Sequence, residues 1–138
     1  MSSRLFQNIR EKHGLCYYIN ASHGTDIEYG IFTVVAGIDK ERFDFGVEKI
    51  YEEIANISTG NLTTKEFQNA KSFAIGQIQM GIETTDSMAN FLGSQFLHLG
   101  YIETLEERIA KINAVKLEEV LAIGEMLQQD KLYLYYVK

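Results

Sequence analysis

The chain has 138 residues, of which 46% are hydrophobic and 23% are charged. This length and composition predict a globular protein with a real hydrophobic core, and they exclude a large multi-domain enzyme. The formal net charge of −6 argues against nucleic acid and against an anionic membrane surface as partners. No apolar run is long enough to span a bilayer, and the first residues lack the layout of a signal peptide. Because the single cysteine, Cys16, fits a reducing compartment, we expect a cytoplasmic protein.

The first part of the chain predicts a helix that leads into a β-hairpin. The helix covers residues 3–12 and stops at Gly14. A strand over residues 15–22 follows, and its alternation predicts one face made of Leu15, Tyr17, Ile19 and Ala21. The stretch "IFTVVAG" is rich in β-branched and aromatic residues, which indicates a second strand paired antiparallel with the first.

Helices are predicted for most of the remaining chain. From residue 39 onward the apolar residues recur at steps of three and four, as on one face of a helix. Thr63 with Glu66, and Thr104 with Glu107, have the spacing of capping boxes and mark two helix starts. The closing "KLYLYYVK" is apolar on both faces, which predicts a strand inside a sheet. The order of elements therefore predicts an α+β fold, with helices layered on one face of a mainly antiparallel sheet.

The residue types that usually carry metal or nucleophilic chemistry form no recognisable motif. His13, His23 and His98 lie far apart in the sequence, and neither H-x-x-E-H nor H-E-x-x-H occurs. A lone cysteine in a strand is usually a small core residue, so Cys16 is interpreted as packing rather than as a catalytic thiol. We expect no metal and no cofactor in this chain.

Two residues at the helix-to-strand junction, Arg10 and Tyr17, allow two interpretations. Arg10 suits a helix C-terminus and Tyr17 suits a strand, so both residues could serve packing alone. Alternatively, because Gly14 folds the chain back between them, the guanidinium and the phenol could converge at one end of the sheet. Both groups donate hydrogen bonds and suit peptide carbonyl oxygens or a developing oxyanion. The spacing by itself favours packing.

The opening stretch "MSSRLFQNIREKHGLCYYI" resembles the segment "SSRLFQ-x-IREK-x-GL-x-Y" of the pitrilysin/insulinase family of zinc metallopeptidases. The resemblance is to the branch of mitochondrial-processing-peptidase-like bacterial proteins. It continues through "GIFTVVAGID", "TTKEFQNAKSFAIGQ", "ETTDSMANFLG" and "IAKINAVKLEEVLAIGEML", and so spans nearly the whole chain in order.

What the resemblance implies is a role on the substrate side of a peptidase. Family members have two similar α+β halves around a peptide-binding chamber, with H-x-x-E-H and zinc in the first half and "SSRLFQ" in the second. By resemblance, Arg10 holds a substrate carbonyl, and Tyr17 is the catalytic residue that hydrogen-bonds the scissile carbonyl as it becomes an oxyanion. The chain departs from the pattern in having His13 at a usually basic position. It also lacks the strand, helix and strand that precede "SSRLFQ" in the family.

These departures lead us to expect a single partial domain over residues 1–138, the C-terminal, substrate-binding side of a zinc-dependent peptidase, inactive by itself. The peptide substrate would bind together with a missing zinc-binding half or a companion subunit, where zinc is expected. The alternative is a non-catalytic structural or protein-interaction module of the same fold. Because unpaired strand edges are usually covered, we also expect a homodimer.

Overall fold

The computed structural model describes residues 3–137, with the exception of the Ser58 side chain. A π-helix at Phe6–Lys12 precedes two strands, β1 (Cys16–Thr25) and β2 (Gly30–Ile38). Five α-helices follow: α1 (Phe43–Ser58), α2 (Thr64–Gly81), α3 (Thr85–Leu99), α4 (Leu105–Ala114) and α5 (Leu117–Met126). Because β1 and β2 pair antiparallel, the predicted α+β class is confirmed. In this part of the chain no helix has both the length and the apolar character needed to cross a membrane.

Two compact units divide the chain. The first contains the described residues up to Thr25, then Tyr29–Asn61, and the described residues from Leu121 onward. The second contains Asp26–Glu28 and Leu62–Val120. The prediction of one partial domain over residues 1–138 stays a prediction.

The core of the first unit lies where the π-helix returns onto the hairpin. Ile9 and Leu15 are each 1% exposed, and Ile19 of β1 joins them. Partly buried neighbours from the π-helix, both strands and α1 complete this cluster: Leu5, Phe6, Cys16, Val34, Ala36 and Ile50. Ile19 pairs with Ala36 and Ala21 pairs with Val34, so the cluster covers one face of the hairpin. Apolar burial of this kind is the main force that holds the π-helix against the strands.

The helix starts of the second unit follow local sequence signals. Thr63 accepts a hydrogen bond from the Glu66 N–H, and the Glu66 carboxylate accepts one from the Thr63 N–H at 2.9 Å, which completes the predicted capping box. The predicted box at Thr104 is confirmed in the same way. A third box, in which Thr84 pairs with Ser87, opens α3 and was missed because serine rather than glutamate supplies the returning acceptor.

The predicted last strand is wrong for the described residues of "KLYLYYVK". Residues 132–137 form neither strand nor helix, and Lys138 lies outside the described residues. Tyr133 is 102% exposed and Tyr135 is 88% exposed. An apolar pattern indicates where a strand would be stable, but a strand forms only where another strand supplies hydrogen-bond partners. Within residues 3–137, the sheet consists of β1 and β2 alone.

A buried carboxylate organises the second unit between α3 and α4. Glu103 is 4% exposed and accepts hydrogen bonds from the Lys111 ammonium, from the Tyr101 hydroxyl at 3.2 Å and from the Arg108 guanidinium at 3.4 Å. The backbone N–H of Glu103 donates to the Gln95 side chain at 3.1 Å, which ties the loop to α3. The Lys111 hydrogen bond holds the pKa of the Glu103 carboxyl below its usual value, and the same bond raises the pKa of Lys111.

We predict that Glu103→Gln destabilises the protein at neutral pH, because two cations then face a neutral amide. Since the pKa of Glu103 is lowered in the folded state, its contribution is fully present above the unfolded carboxyl pKa and is lost as the pH falls through the folded value. Lys111 has a raised pKa, so its contribution is lost only as the pH rises through that value. The measurement is urea unfolding of both proteins from pH 3 to pH 9, followed by circular dichroism.

Glu83→Gln serves as the control, because Glu83 is an exposed loop carboxylate. It should change the free energy of unfolding little at any of these pH values. Equal effects of the two substitutions at neutral pH would contradict the role given to Glu103.

Candidate functional site

The junction between the π-helix and β1 is a tight turn at Gly14. Gly14 has φ +58°, a left-handed conformation that favours glycine. Its N–H donates to the Arg10 carbonyl at 3.0 Å, and the Leu15 N–H donates to the Ile9 carbonyl at 3.0 Å. These nested bonds satisfy the last carbonyls of the helix and turn the chain back into the strand. The turn therefore lies between the two predicted site residues, and it sets the relative positions of the helix end that carries Arg10 and the strand that carries Tyr17.

Arg42, which precedes α1, clamps this turn from outside. Its guanidinium donates one hydrogen bond to the His13 carbonyl and another to the Gly14 carbonyl, both at 2.9 Å. A planar fork of donors suits two successive carbonyls better than an ammonium does. Sequence reasoning missed Arg42, because nothing in the local pattern links it to a turn 28 residues earlier.

Arg10 lies on the exposed side of the last turn of the π-helix. Its guanidinium carbon is 5.0 Å from the centre of the Phe6 ring, a cation–π distance that orients the side chain. Within residues 3–137, the N–H groups of its guanidinium donate no hydrogen bond. The guanidinium therefore lies over the Phe6 ring, and its donors are not taken up by another described group.

Tyr17 is 75% exposed, and its burial departs from the predicted alternation. Leu15 and Ile19, which the alternation places on the same face as Tyr17, are buried, but Tyr17 does not share their burial. The reason is a shift of register: Cys16 pairs with Ile38, and the next regular pair is Ile19 with Ala36. An extra residue in β1 breaks the period of two, so the prediction of one regular face from Leu15 to Ala21 is wrong. The phenol is not covered by helices.

Cys16, the neighbour of Tyr17, packs against the core, in agreement with its interpretation from sequence. Burial raises the pKa of the Cys16 thiol, and the positive charge of Arg10 opposes part of this rise. The charge of Arg10 therefore acts on Cys16 at the start of β1, the residue before Tyr17. The assignment of Arg10 and Tyr17 as one substrate-binding pair stays a prediction.

The described residues do not fit a zinc ion. Among them, no group of three or more histidine, cysteine, aspartate or glutamate residues could hold a metal. His13, the histidine nearest the junction, packs edge-on against the Phe45 ring at 6.2 Å between centres. The chemistry available at the junction is therefore hydrogen-bond donation and positive charge.

Comparison with known proteins identifies the class to which this fold and junction belong. The family model described as the Peptidase M16 inactive domain matches residues 1–73, which include the π-helix, the hairpin, α1 and the start of α2. The chain belongs to this family of M16 peptidase domains. The resemblance carried by "SSRLFQNIREK" is thereby confirmed.

Individual relatives share most of this chain but are much longer. A Bacillus subtilis protein named "Uncharacterized zinc protease YmxG" is 35% identical over 92% of this chain, which spans 31% of that relative. A second Bacillus subtilis protein, named "Probable inactive metalloprotease YmfF", is 29% identical over 95% of this chain and 30% of its own length. A crystal structure of a conserved protein from Enterococcus faecalis superposes with a TM-score of 0.75 at 31% identity, over 89% of this chain and 28% of that one.

We predict that Arg42→Ala loosens the junction turn. Loss of two hydrogen bonds from an exposed cation should cost about 1 kcal/mol locally. Protection of the Gly14 and Leu15 amides against hydrogen exchange should then fall roughly fivefold. Arg42→Lys should recover only part of the protection, because an ammonium does not match the fork.

Lys40→Ala is the matched control, since Lys40 is an exposed cation in the same short 3₁₀ helix as Arg42, Lys40–Arg42. It should leave the protection of both amides unchanged. Equal loss in the Lys40 and Arg42 variants would show that the clamp does not hold the turn.

Proposed function

We propose that this chain supplies the substrate-binding side of an M16-type peptidase chamber, with Arg10 and Tyr17 as the groups that contact the peptide. The observation that carries the proposal is the exposed phenol of Tyr17, placed at the end of a clamped turn within the segment that matches the family model. A zinc-binding half, on the same polypeptide or on a companion subunit, completes the chamber. By itself the chain hydrolyses no peptide.

The chemistry of the pair fits a peptide backbone. The guanidinium of Arg10 is a permanent cation that binds a carbonyl oxygen of the substrate and fixes its register. The phenol of Tyr17 donates to the scissile carbonyl as negative charge develops on that oxygen. Among the described residues, neither side chain spends its donors on another group, whereas Arg42 has committed its own to the turn. This division of roles supports Arg10 and not Arg42 as the substrate ligand.

A second function has its own support. The family model is described as an inactive domain, and one of the relatives carries the name "Probable inactive metalloprotease". In this alternative the chain is a non-catalytic structural or interaction module, in which Arg10 and Tyr17 stabilise the junction and contact no substrate. Because both functions use the same fold, the fold does not distinguish them. Variants of Arg10 and Tyr17 do, because only the first function needs these side chains to contact substrate.

We predict that Tyr17→Phe lowers kcat about 10²-fold or more when a zinc-binding half completes the chamber, because one oxyanion donor is lost. KM should change little, and so should the free energy of unfolding, because the ring is retained. Arg10→Met, which keeps a chain over Phe6 without the charge, should mainly raise KM. The measurement is cleavage of a quenched fluorescent peptide by the chain mixed with a zinc-binding half.

Tyr29→Phe is the control, since Tyr29 is a 59% exposed tyrosine of the same hairpin. Cleavage that needs the chain but is indifferent to Tyr17→Phe and Arg10→Met would exclude the catalytic role and support the structural module. Cleavage by the chain without the zinc-binding half would overturn the division of labour.

We also propose that two copies of the chain associate in solution. Within the part of the chain that the structure describes, β1 and β2 each have one unpaired edge, and residues such as Tyr133 and Tyr135 expose apolar surface. Unpaired edges and apolar patches of this kind are usually covered. Light scattering coupled to size exclusion at micromolar concentration should give twice the chain mass of 15.7 kDa. A monomer at that concentration would contradict the proposal.

A further inference from the structure

We propose that Gly37 and the ring of Tyr18 together position Tyr17 for substrate, an inference that rests on the proposed function. The two residues face each other across the hairpin, next to the break in its register. Neither has a role assigned by the family resemblance. We call this contact the Tyr18–Gly37 seat.

The register of the hairpin places Gly37 opposite two residues. Cys16 pairs with Ile38 and Ile19 pairs with Ala36, so Tyr17 and Tyr18 together face the single position 37. Two residues against one define a β-bulge, which bends its strand and redirects a side chain. The extra residue of β1 is therefore located at the proposed catalytic tyrosine.

Gly37 allows the Tyr18 ring to lie directly on the β2 backbone. A Cβ atom added at Gly37 would be 2.6 Å from Cε1, 3.1 Å from Cδ1 and 3.3 Å from Cζ of Tyr18. The first of these distances is impossible without movement of the ring. Any other residue at position 37 would thus displace Tyr18 from its seat.

The bulge, which contains the seat, sets the side of β1 on which the phenol of Tyr17 emerges. In a regular strand Tyr17 would share a face with Leu15 and Ile19, which are 1% and 9% exposed. With the bulge, Cys16 and Ile19 both pack on the core, and Tyr17 is 75% exposed. The Tyr18 ring covers the opposite strand where the bulge leaves room for it. A ring fixed in this way limits the orientations open to the adjacent residue.

Catalysis by a hydrogen-bond donor depends strongly on such positioning. A displacement of about 1 Å can cost up to about 10²-fold in rate even when the donor is intact. Tyr17 lies within the bulge, three residues after the turn at Gly14. Loss of the seat should therefore reduce transition-state stabilisation without removing any group that contacts the peptide.

The first experiment examines the seat in the chain alone and needs no activity. An aromatic ring lying on a glycine shifts the NMR signals of its α-protons, so the Gly37 signals should move toward their ordinary positions in Tyr18→Ala. Tyr18→Phe should keep the shift, because the ring is retained. Unchanged Gly37 signals in Tyr18→Ala would overturn the seat, whatever the function of Tyr17.

The second experiment connects the seat to Tyr17 in the complex with a zinc-binding half. Gly37→Ala should lower kcat about tenfold with little change in KM. In a Tyr17→Phe background the same substitution should have no further effect on kcat, because it acts through a phenol that is already absent. If Gly37→Ala folds poorly, Tyr18→Ala tests the same prediction, because it removes the contact without introducing a clash.

Gly24→Ala is the matched control, because Gly24 is a glycine of the same hairpin with nothing within 4 Å of an added Cβ. It should leave kcat unchanged. Independent, multiplicative effects of Gly37→Ala and Tyr17→Phe would overturn the positioning role even if the seat exists. If Tyr17→Phe has no effect while the NMR signature of the seat is present, the proposed function has failed and the positioning role fails with it.

Discussion

The turn at Gly14 is the constraint on which the first unit depends. Its left-handed backbone brings Leu15 directly under the π-helix, where Leu15 and Ile9 become the most buried apolar side chains described. The two carbonyls that this geometry exposes are satisfied by Arg42, which ties the start of α1 to the same point. Helix, strand and α1 are therefore joined at this turn by backbone hydrogen bonds and by the side chain of Arg42, and the apolar cluster forms next to it.

Two arginines near this turn show how one side-chain chemistry serves two purposes. Both terminal nitrogens of Arg42 donate to backbone carbonyls, so the role of this side chain is to hold the turn in its shape. Arg10 lies over Phe6 and places a positive charge close to Cys16 at the start of β1, although the chain as a whole carries a net charge of −6. A locally positive junction suits the oxygen-rich backbone of a peptide. Most of the exposed acidic side chains lie on the outward faces of the helices, where water solvates them.

Features encoded within a few residues could be predicted from the sequence, whereas features that need a distant partner could not. The capping boxes at Thr63 and Thr104 and the hairpin partner strands follow local rules, and the structure has them. The bulge at Tyr17 lies opposite Gly37 of the other strand, and the clamp on the turn comes from Arg42, so neither is visible in a local pattern. The last predicted strand failed for a related reason: its apolar pattern is real, but strand formation also requires a neighbouring strand.

The π-helix and the bulge have a common consequence for how this segment tolerates changes of length. The π-helix bonds each backbone N–H one residue further back than an α-helix does, and the bulge places two residues of β1 opposite one of β2. Deleting one residue from Phe6–Lys12 would disturb the i→i+5 pattern of backbone hydrogen bonds that leads into the turn. Deleting Tyr18 at the bulge would restore strand alternation, with Cys16 and Ile19 still on the core face and Tyr17 alone opposite Gly37. The lengths of the segments on both sides of Gly14 are therefore restricted by backbone hydrogen bonding as well as by the side chains they carry.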